Sequence, residues 1–226
     1  MKRIGIILFL ILTVTIANGQ NKRTGIDFKV GYNSPVFNFD DFYEGGLGMS
    51  FGVLYPFYDN MQFSLNTGYA KWTFDNTAYN LKNSNDNYSE FNIDAPITLI
   101  PLTLGIKYYA TDSKVRPYFS AEFGFYYYSQ KATGTYTWTA KPGTSGETFA
   151  IPELKDSGFR TMLNVGAGVI TPVAKDWDLD LQIKMNGLFG AQSVTGSNNS
   201  GSVEGSSSTL YYITIGAGIN YYFETK

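Results

Sequence analysis

Asp178 and Asp180 stand two residues apart, which on a β-strand puts both carboxylates on one face, the arrangement that supplies an acid and a base for glycoside cleavage. The stretch Gly46-Leu-Gly-Met-Ser-Phe-Gly52 is rich in glycine, but its spacing is wrong for a dinucleotide loop and no helix pattern follows it. Asn83, Asn85, Asn87 and Asp94 fall at positions one, three, five and twelve of a calcium-loop register. The turn glycine is missing there, and most of the donors are neutral amides. The chain has no His and no Cys. That removes the commonest general base, the commonest zinc ligand and the thiol nucleophile together. The sequence therefore predicts no enzyme activity, no cofactor and no metal site. It leaves the two aspartates a structural reading, as charges enclosed in a narrow interior and held by cations.

Charge and composition narrow the partners. Lys plus Arg number 17 against 19 Asp plus Glu in 226 residues, a net charge of −2 with no basic footprint for nucleic acid. Aromatic residues make up 17%, far too rich for a disordered chain. The first nineteen residues read as a secretion leader. Lys2 and Arg3 form a basic start, residues 4–16 are apolar except for Gly5, Thr13 and Thr15, and Ala17-Asn18-Gly19 offers the small residues that a signal peptidase reads. Cleavage is expected after Gly19 or, as the second choice, after Gln20. The apolar run is shorter than a spanning helix requires, and no Cys marks a lipoprotein junction. The expected organisation is a signal peptide over 1–19 and one domain over 20–226.

What must position the remaining residues is a set of strands, because the mature chain alternates with period two. Ile26, Phe28, Val30 and Tyr32 alternate with small and polar residues, and so do Leu47 to Tyr55, Phe63 to Tyr69, and Leu104 to Tyr108. Pro96 and Pro101 cannot donate ladder hydrogen bonds, so the fourth strand is expected to pair fully only from Leu102. The second half repeats the pattern through Phe119 to Phe125, Thr161 to Val169, Trp177 to Met185, and Tyr211 to Phe223. Short connections after the second, fourth and sixth strands alternate with long ones near 33–44, 75–96, 129–157 and 190–208. This is the loop asymmetry of a membrane barrel with both termini on the short-turn side. The sequence thus predicts an all-β, closed, eight-stranded antiparallel up-and-down transmembrane β-barrel. A soluble calyx with its apolar face turned inward is the alternative, but Gly, Asn, Asp and Lys on the second face suit a cramped polar lumen better.

Aromatic belts should mark both rims. Tyr55, Phe57, Tyr58, Tyr108, Tyr109, Tyr118, Trp177, Tyr221, Tyr222 and Phe223 fall near the short-turn rim. Tyr32, Tyr69, Trp72, Phe74, Tyr126, Tyr127, Tyr128, Phe159 and Tyr211 fall near the long-loop rim. Period two assigns Asp27, Lys29, Lys107, Glu122, Arg160, Asp178, Asp180 and Lys184 to the lumen, four acids and four bases that favour a closed ion-pair network over a selective pore. Folding the fourth and fifth strands about the turn near Ser113 sets Lys107 beside Ser120 and diagonal to Glu122, so these two are expected to interact. Among the loops, residues 195–208 are compositionally a flexible linker. Thr135-Tyr-Thr-Trp-Thr139 alternates β-formers and is expected to extend its strands above the membrane.

The stretch Pro101-Leu-Thr-Leu-Gly-Ile-Lys-Tyr-Tyr109, a short turn, then Lys114-Val-Arg-Pro-Tyr-Phe-Ser-Ala-Glu-Phe-Gly124, with the Gly-x-Gly pairs at 166/168 and 216/218, resembles the outer membrane protein beta-barrel domain family of Gram-negative envelopes, including its PorT-type barrels. Glu122 departs from the small residue expected there and adds a lumen charge. The resemblance implies an outer-membrane protein with periplasmic termini. Its surroundings would be outer-membrane lipid and lipopolysaccharide, and its assembly would use barrel-assembly and periplasmic chaperone machinery. The expected state is a monomer with no defined chemistry and a structural or surface-interaction role carried by its loops. The alternative is a narrow small-molecule conduit or a component of an envelope transport machine.

Overall fold

The computed structural model describes residues 23–83, 89–111, 113–139, 145–197 and 203–223; the expected leader and residues Asn85 and Asn87 lie outside them. Among the described residues, alternating β-formers make ten strands: β1 (Gly25–Val36), β2 (Tyr43–Glu44), β3 (Gly46–Tyr58), β4 (Met61–Phe74), β5 (Ser89–Asp94), β6 (Ile97–Tyr109), β7 (Arg116–Trp138), β8 (Glu147–Ala174), β9 (Trp177–Ser197) and β10 (Val203–Tyr222). A helix, α1 (Asn76–Asn83), stands between β4 and β5. All strands but β2 and β5 form a closed antiparallel ring, in which β10 returns to β1 with Ile26 opposite Tyr221 and Phe28 opposite Ile219.

The ring closes with a stagger. Following cross-strand partners from Ile26 leads through Val53, Leu65, Leu104, Phe123, Leu163, Gly187 and Tyr211 back to β1 at Val36, ten residues along from the start. A shear of this size tilts eight strands by about 40° to the barrel axis. Residues level with one another across the lumen are therefore not the ones paired along a ladder.

The outer wall is apolar. Leu104, Phe123, Val165, Leu181 and Ile215 are exposed on it, while Gly105, Gly166 and Gly216 face the interior, where an added Cβ would meet Ser64, Lys184 and Gln182 side chains respectively. A continuous apolar wall facing outward all round a closed ring is a lipid-facing surface, and closure satisfies the backbone that lipid cannot. Leu181→Arg is expected to lower stability in lipid vesicles by about 2–4 kcal/mol. Urea midpoints equal to those of the parent chain would place Leu181 on the wrong face.

Several departures from the sequence expectation have local causes. β6 starts at Ile97 rather than Leu102, because β7 pairs with it past Pro101; only the β4 ladder breaks there, between Thr67–Leu102 and Ala70–Leu99, and the Thr67 hydroxyl donates to the Pro101 carbonyl at 2.9 Å. Within the stretch expected as a flexible linker, Ser197 and Gly196 of β9 pair with Val203 and Glu204 of β10, and residues 205–208 continue the ladder against 191–194. β7 and β8 run paired out to Trp138–Glu147, far beyond the apolar band.

The connection over 75–96 is structured as well. Asn76 donates to the Ile93 carbonyl at 2.8 Å and accepts from its amide at 2.6 Å, and Asn80 does the same with Phe91 at 2.7 and 2.8 Å. Two carboxamides one helical turn apart thus stand in for a neighbouring strand and cover the free edge of β5. The double variant Asn76→Ala, Asn80→Ala removes four hydrogen bonds worth about 1 kcal/mol each and is expected to speed amide exchange at Phe91 and Ile93 by at least tenfold and up to about a thousandfold, the latter if the four terms add in full. Unchanged exchange would show that α1 does not hold β5.

Candidate functional site: a filled lumen under an aromatic cap

Inward residues of the ring stack in layers along the axis. At the short-turn end, Arg116 donates to Asp178 at 2.8 Å and the Tyr109 hydroxyl donates to Gln62 at 2.7 Å. Above them Asp27, Lys29, Lys107 and Asp180 form a buried cluster. Lys107 lies 3.0 Å from Asp180 and 3.9 Å from Asp27, Lys29 bonds Asp27 and lies 3.5 Å from Asp180, and the Tyr118 hydroxyl donates to Asp180 at 2.7 Å. Small residues make this possible. A Cβ on Gly52 would stand 2.6 Å from the Asp27 carboxylate, and one on Gly168 would stand 2.5 Å from the Tyr118 ring.

The next layer holds Glu122, which accepts from Lys184 and Asn164 at 3.1 Å each and from Thr103 at 3.3 Å. Lys107 therefore does not pair with Glu122, although the register that suggested it, Lys107 opposite Ser120, is present. The stagger is the reason. It lifts β7 relative to β6, so Lys107 is level with Asp27 and Asp180 on other walls while Glu122 is level with Lys184. Arg160 also stands apart from the other seven lumen candidates. Its guanidinium donates to the Gly190 carbonyl at 2.8 Å and to Asp156 at 3.4 Å, just above the point where the β8–β9 ladder ends at Thr161–Phe189.

Beyond Glu122 a cavity of about 70 Å³ is lined by Asn33, Asn164, Lys184, Asn186, Tyr212 and Thr214, among others. It has room for a few water molecules. Above it the lumen is shut by apolar packing. Trp72 and Tyr128, both 0% exposed, pack with Phe39, Tyr43, Phe74, Tyr126, Leu188 and Leu210 in one buried cluster that continues through Tyr79 and Phe91 into the outer loops. The Trp72 ring lies 5.5 Å from Phe39 and 4.9 Å from Tyr212, and its indole donates to the Asn33 carbonyl at 3.2 Å. Inside the cap, Tyr128 donates to Gln130, which donates in turn to Tyr43.

This cap corrects the aromatic belts. Trp72, Phe74, Tyr126 and Tyr128 at one end, and Tyr109, Tyr118 and Tyr222 at the other, point into the barrel rather than toward lipid, whereas Tyr69, Tyr127, Phe159, Tyr108, Trp177 and Tyr221 stay on the outside. Runs such as Tyr126-Tyr127-Tyr128 cannot lie on one face, since successive strand residues alternate. Strict alternation was thus the signal in the sequence that separates cap from belt. The segment that delivers Phe39, Phe42 and Tyr43 gave no such signal: a 3-10 turn at Phe37–Phe39 begins with Phe37 at φ +59°, left-handed and uncommon for a residue with a Cβ, and its ring packs edge-on against Tyr211 at 5.6 Å.

On the outer extension, Lys131 and Lys155 sit directly opposite each other with Glu153 bridging both, at 3.0 Å from Lys131. Hydrogen bonds from Lys155 and Lys131 hold the Glu153 carboxyl below its ordinary range. Among the described residues no group of three or more acids could hold a metal ion.

Ring, stagger, apolar wall and filled lumen together define a small transmembrane β-barrel with a packed interior. No family model matches the chain, and no curated protein matches it. Solved structures do. Neisserial surface protein A is 15% identical over 88% of this chain and 97% of its own, with a TM-score of 0.48. Ail, the attachment invasion locus protein of Yersinia pestis, solved with the heparin analogue sucrose octasulfate, is 13% identical over 90% and 100%, with a TM-score of 0.49. The outer membrane protease OmpT from Escherichia coli is 10% identical over 91% and 99%, with a TM-score of 0.46. These are likenesses of outline at low identity.

Proposed function

We propose that this chain is an outer-membrane barrel whose lumen is closed and whose work is surface interaction through the structure that stands beyond the membrane. The observation that carries the reading is that the interior is blocked on both sides of its cavity of about 70 Å³, below by the Arg116–Asp178 pair, the four-charge cluster and Glu122–Lys184, and above by the Trp72 cap. Each of these buried charges stands beside one of opposite sign, so none is left to draw an ion through. Among the described residues, length that the ring does not need for spanning lies at the long-loop end, in the 37–44 segment, α1, β5 and the outer reaches of β7–β8 and β9–β10. The aspartates at 178 and 180 are taken up by Arg116 and the two lysines, which supports a structural and not a catalytic role.

On this reading residues 1–19 are the export signal and the termini face the periplasm. The surrounding phase is outer-membrane lipid with lipopolysaccharide, insertion uses the barrel-assembly and chaperone machinery, and the barrel works as a monomer. The hairpin over 101–124 supports the outer membrane protein beta-barrel domain family, PorT-type barrels included. Single-channel recording of the purified protein in planar bilayers tests the closed lumen: no conductance steps are expected, and steady openings would replace this reading with the conduit. N-terminal sequencing of the protein from envelopes is expected to begin at Gln20 or Asn21; a mature chain that begins with Met1 would remove the export signal.

A further inference from the structure

The outer end of the β5–β7–β8 sheet carries a paved aromatic face. Phe91, Tyr136 and Phe149 are direct cross-strand partners on the three strands. Their rings run in a row, with centroids 4.9 Å apart at 37° between Phe91 and Tyr136, and 6.5 Å apart at 27° between Tyr136 and Phe149. The row starts inside the cap, where Phe91 is buried, and comes out into water. Phe149 is 49% exposed, and Trp138, two residues beyond Tyr136 on the same face, is 45% exposed. Opposite Trp138 on that face stands the exposed carboxylate of Glu147.

Lipid does not explain these rings, because they lie on the inward-turned face of the sheet well beyond the Tyr127–Phe159 row that ends the apolar wall. Internal packing does not explain them either, since the buried cluster stops at Phe91 and Ile151 with Tyr136 only packed against it. A face of two or three rings is far smaller than the core of a stable protein interface. Its charge disfavours an anionic ligand. Glu147 is on the face, while the described lysines of this hairpin, Lys131 and Lys155, point from the opposite one and are bridged by Glu153. A neutral, flat, hydroxyl-bearing ligand fits both the rings and a carboxylate free to accept hydrogen bonds.

We propose that Trp138 and Phe149, flanked by Glu147, form a stacking platform for a neutral sugar ring of a surface glycan. The proposal rests on the closed, surface-interacting reading above and names the ligand class of that surface. The negative faces of the aromatic rings attract the polarised C–H groups on the apolar side of a pyranose. The Glu147 carboxylate accepts hydrogen bonds from its equatorial hydroxyls, which are stronger for being made to a charged acceptor. Hydrogen-bonded Thr137 and Thr148, 3.0 Å apart on the reverse face, and the paired backbone of β7 and β8 keep the platform flat.

The test is a glycan array probed with the full-length protein in nanodiscs, carrying neutral, sialylated and sulfated oligosaccharides, followed by isothermal titration calorimetry with the best neutral trisaccharide. Binding to neutral glycans is expected. Trp138→Ala should weaken it on the order of tenfold, Trp138→Phe should retain most of it because a ring is kept, and Glu147→Gln should weaken it by a smaller factor. Heat-modified mobility on gels checks that each variant is a folded barrel. Binding confined to sulfated or sialylated glycans, no neutral binding at all, or equal binding by parent and folded Trp138→Ala would each overturn the platform. Conductance in bilayers would overturn the closed-lumen reading whatever the array shows, whereas a blank array with a silent bilayer removes only the sugar.

Discussion

Asp180→Asn is expected to destabilise the barrel by about 3–5 kcal/mol, measured as the shift in urea unfolding from lipid vesicles. Asp180 is 0% exposed and serves three groups at once: Lys107 at 3.0 Å, Lys29 at 3.5 Å and the Tyr118 hydroxyl at 2.7 Å. Neutralising it leaves two ammonium groups with only the Asp27 carboxylate between them, in an interior where a lone charge recovers little of its hydration. The size of the effect comes from the unpaired cation rather than from any large net gain of the intact cluster. A double variant, Lys107→Met with Asp180→Leu, removes one charge of each sign, leaves Asp27 with Lys29, and is expected to recover most of the loss. If Asp180→Asn unfolds at the parent urea concentration, or the double variant is no more stable than the single, the charge cluster does not hold the lumen together.

Trp72→Ala is expected to cost a similar amount, about 3–5 kcal/mol, for a different reason. The ring fills the centre of the cap between Phe39 and Tyr212, so truncation leaves a void that fixed strands cannot close. It also releases the Asn33 carbonyl from the indole. The loss should appear in unfolding and as faster proteolysis within 37–44, whose Phe39, Phe42 and Tyr43 lose their seat. Bilayer conductance should stay absent, because the Asp27–Lys29–Lys107–Asp180 layer still seals the lumen below. Conductance from Trp72→Ala alone would show that the cap, and not the ion-pair layer, is the barrier. Parent-like stability would mean that the cap is not a packed core.

The alternation of residues such as Leu104 and Gly105, or Leu181 and Gln182, determined by itself that this chain forms strands with one apolar and one polar face, and the short and long connections set their up-and-down order. Closure followed, since an apolar outer face is only stable in lipid and lipid tolerates no open edge. The same pattern placed Asp27, Lys29, Lys107, Glu122, Asp178, Asp180 and Lys184 inside. It could not choose their partners, because partner choice depends on height along the axis, and height is set by the ten-residue stagger, a property of eight registers taken together. Lys107 therefore reaches Asp180 across the lumen instead of Glu122 on the neighbouring strand. The cap was decided later still. Phe39 and Tyr43 come from a connection without periodicity, and α1 holds β5 only because Asn76 and Asn80 meet backbone groups of Ile93 and Phe91 that are far along the chain. Local sequence fixes which way a side chain faces on its own strand, but only the closed ring brings those side chains to a common level, which is where packing and pairing energies are decided.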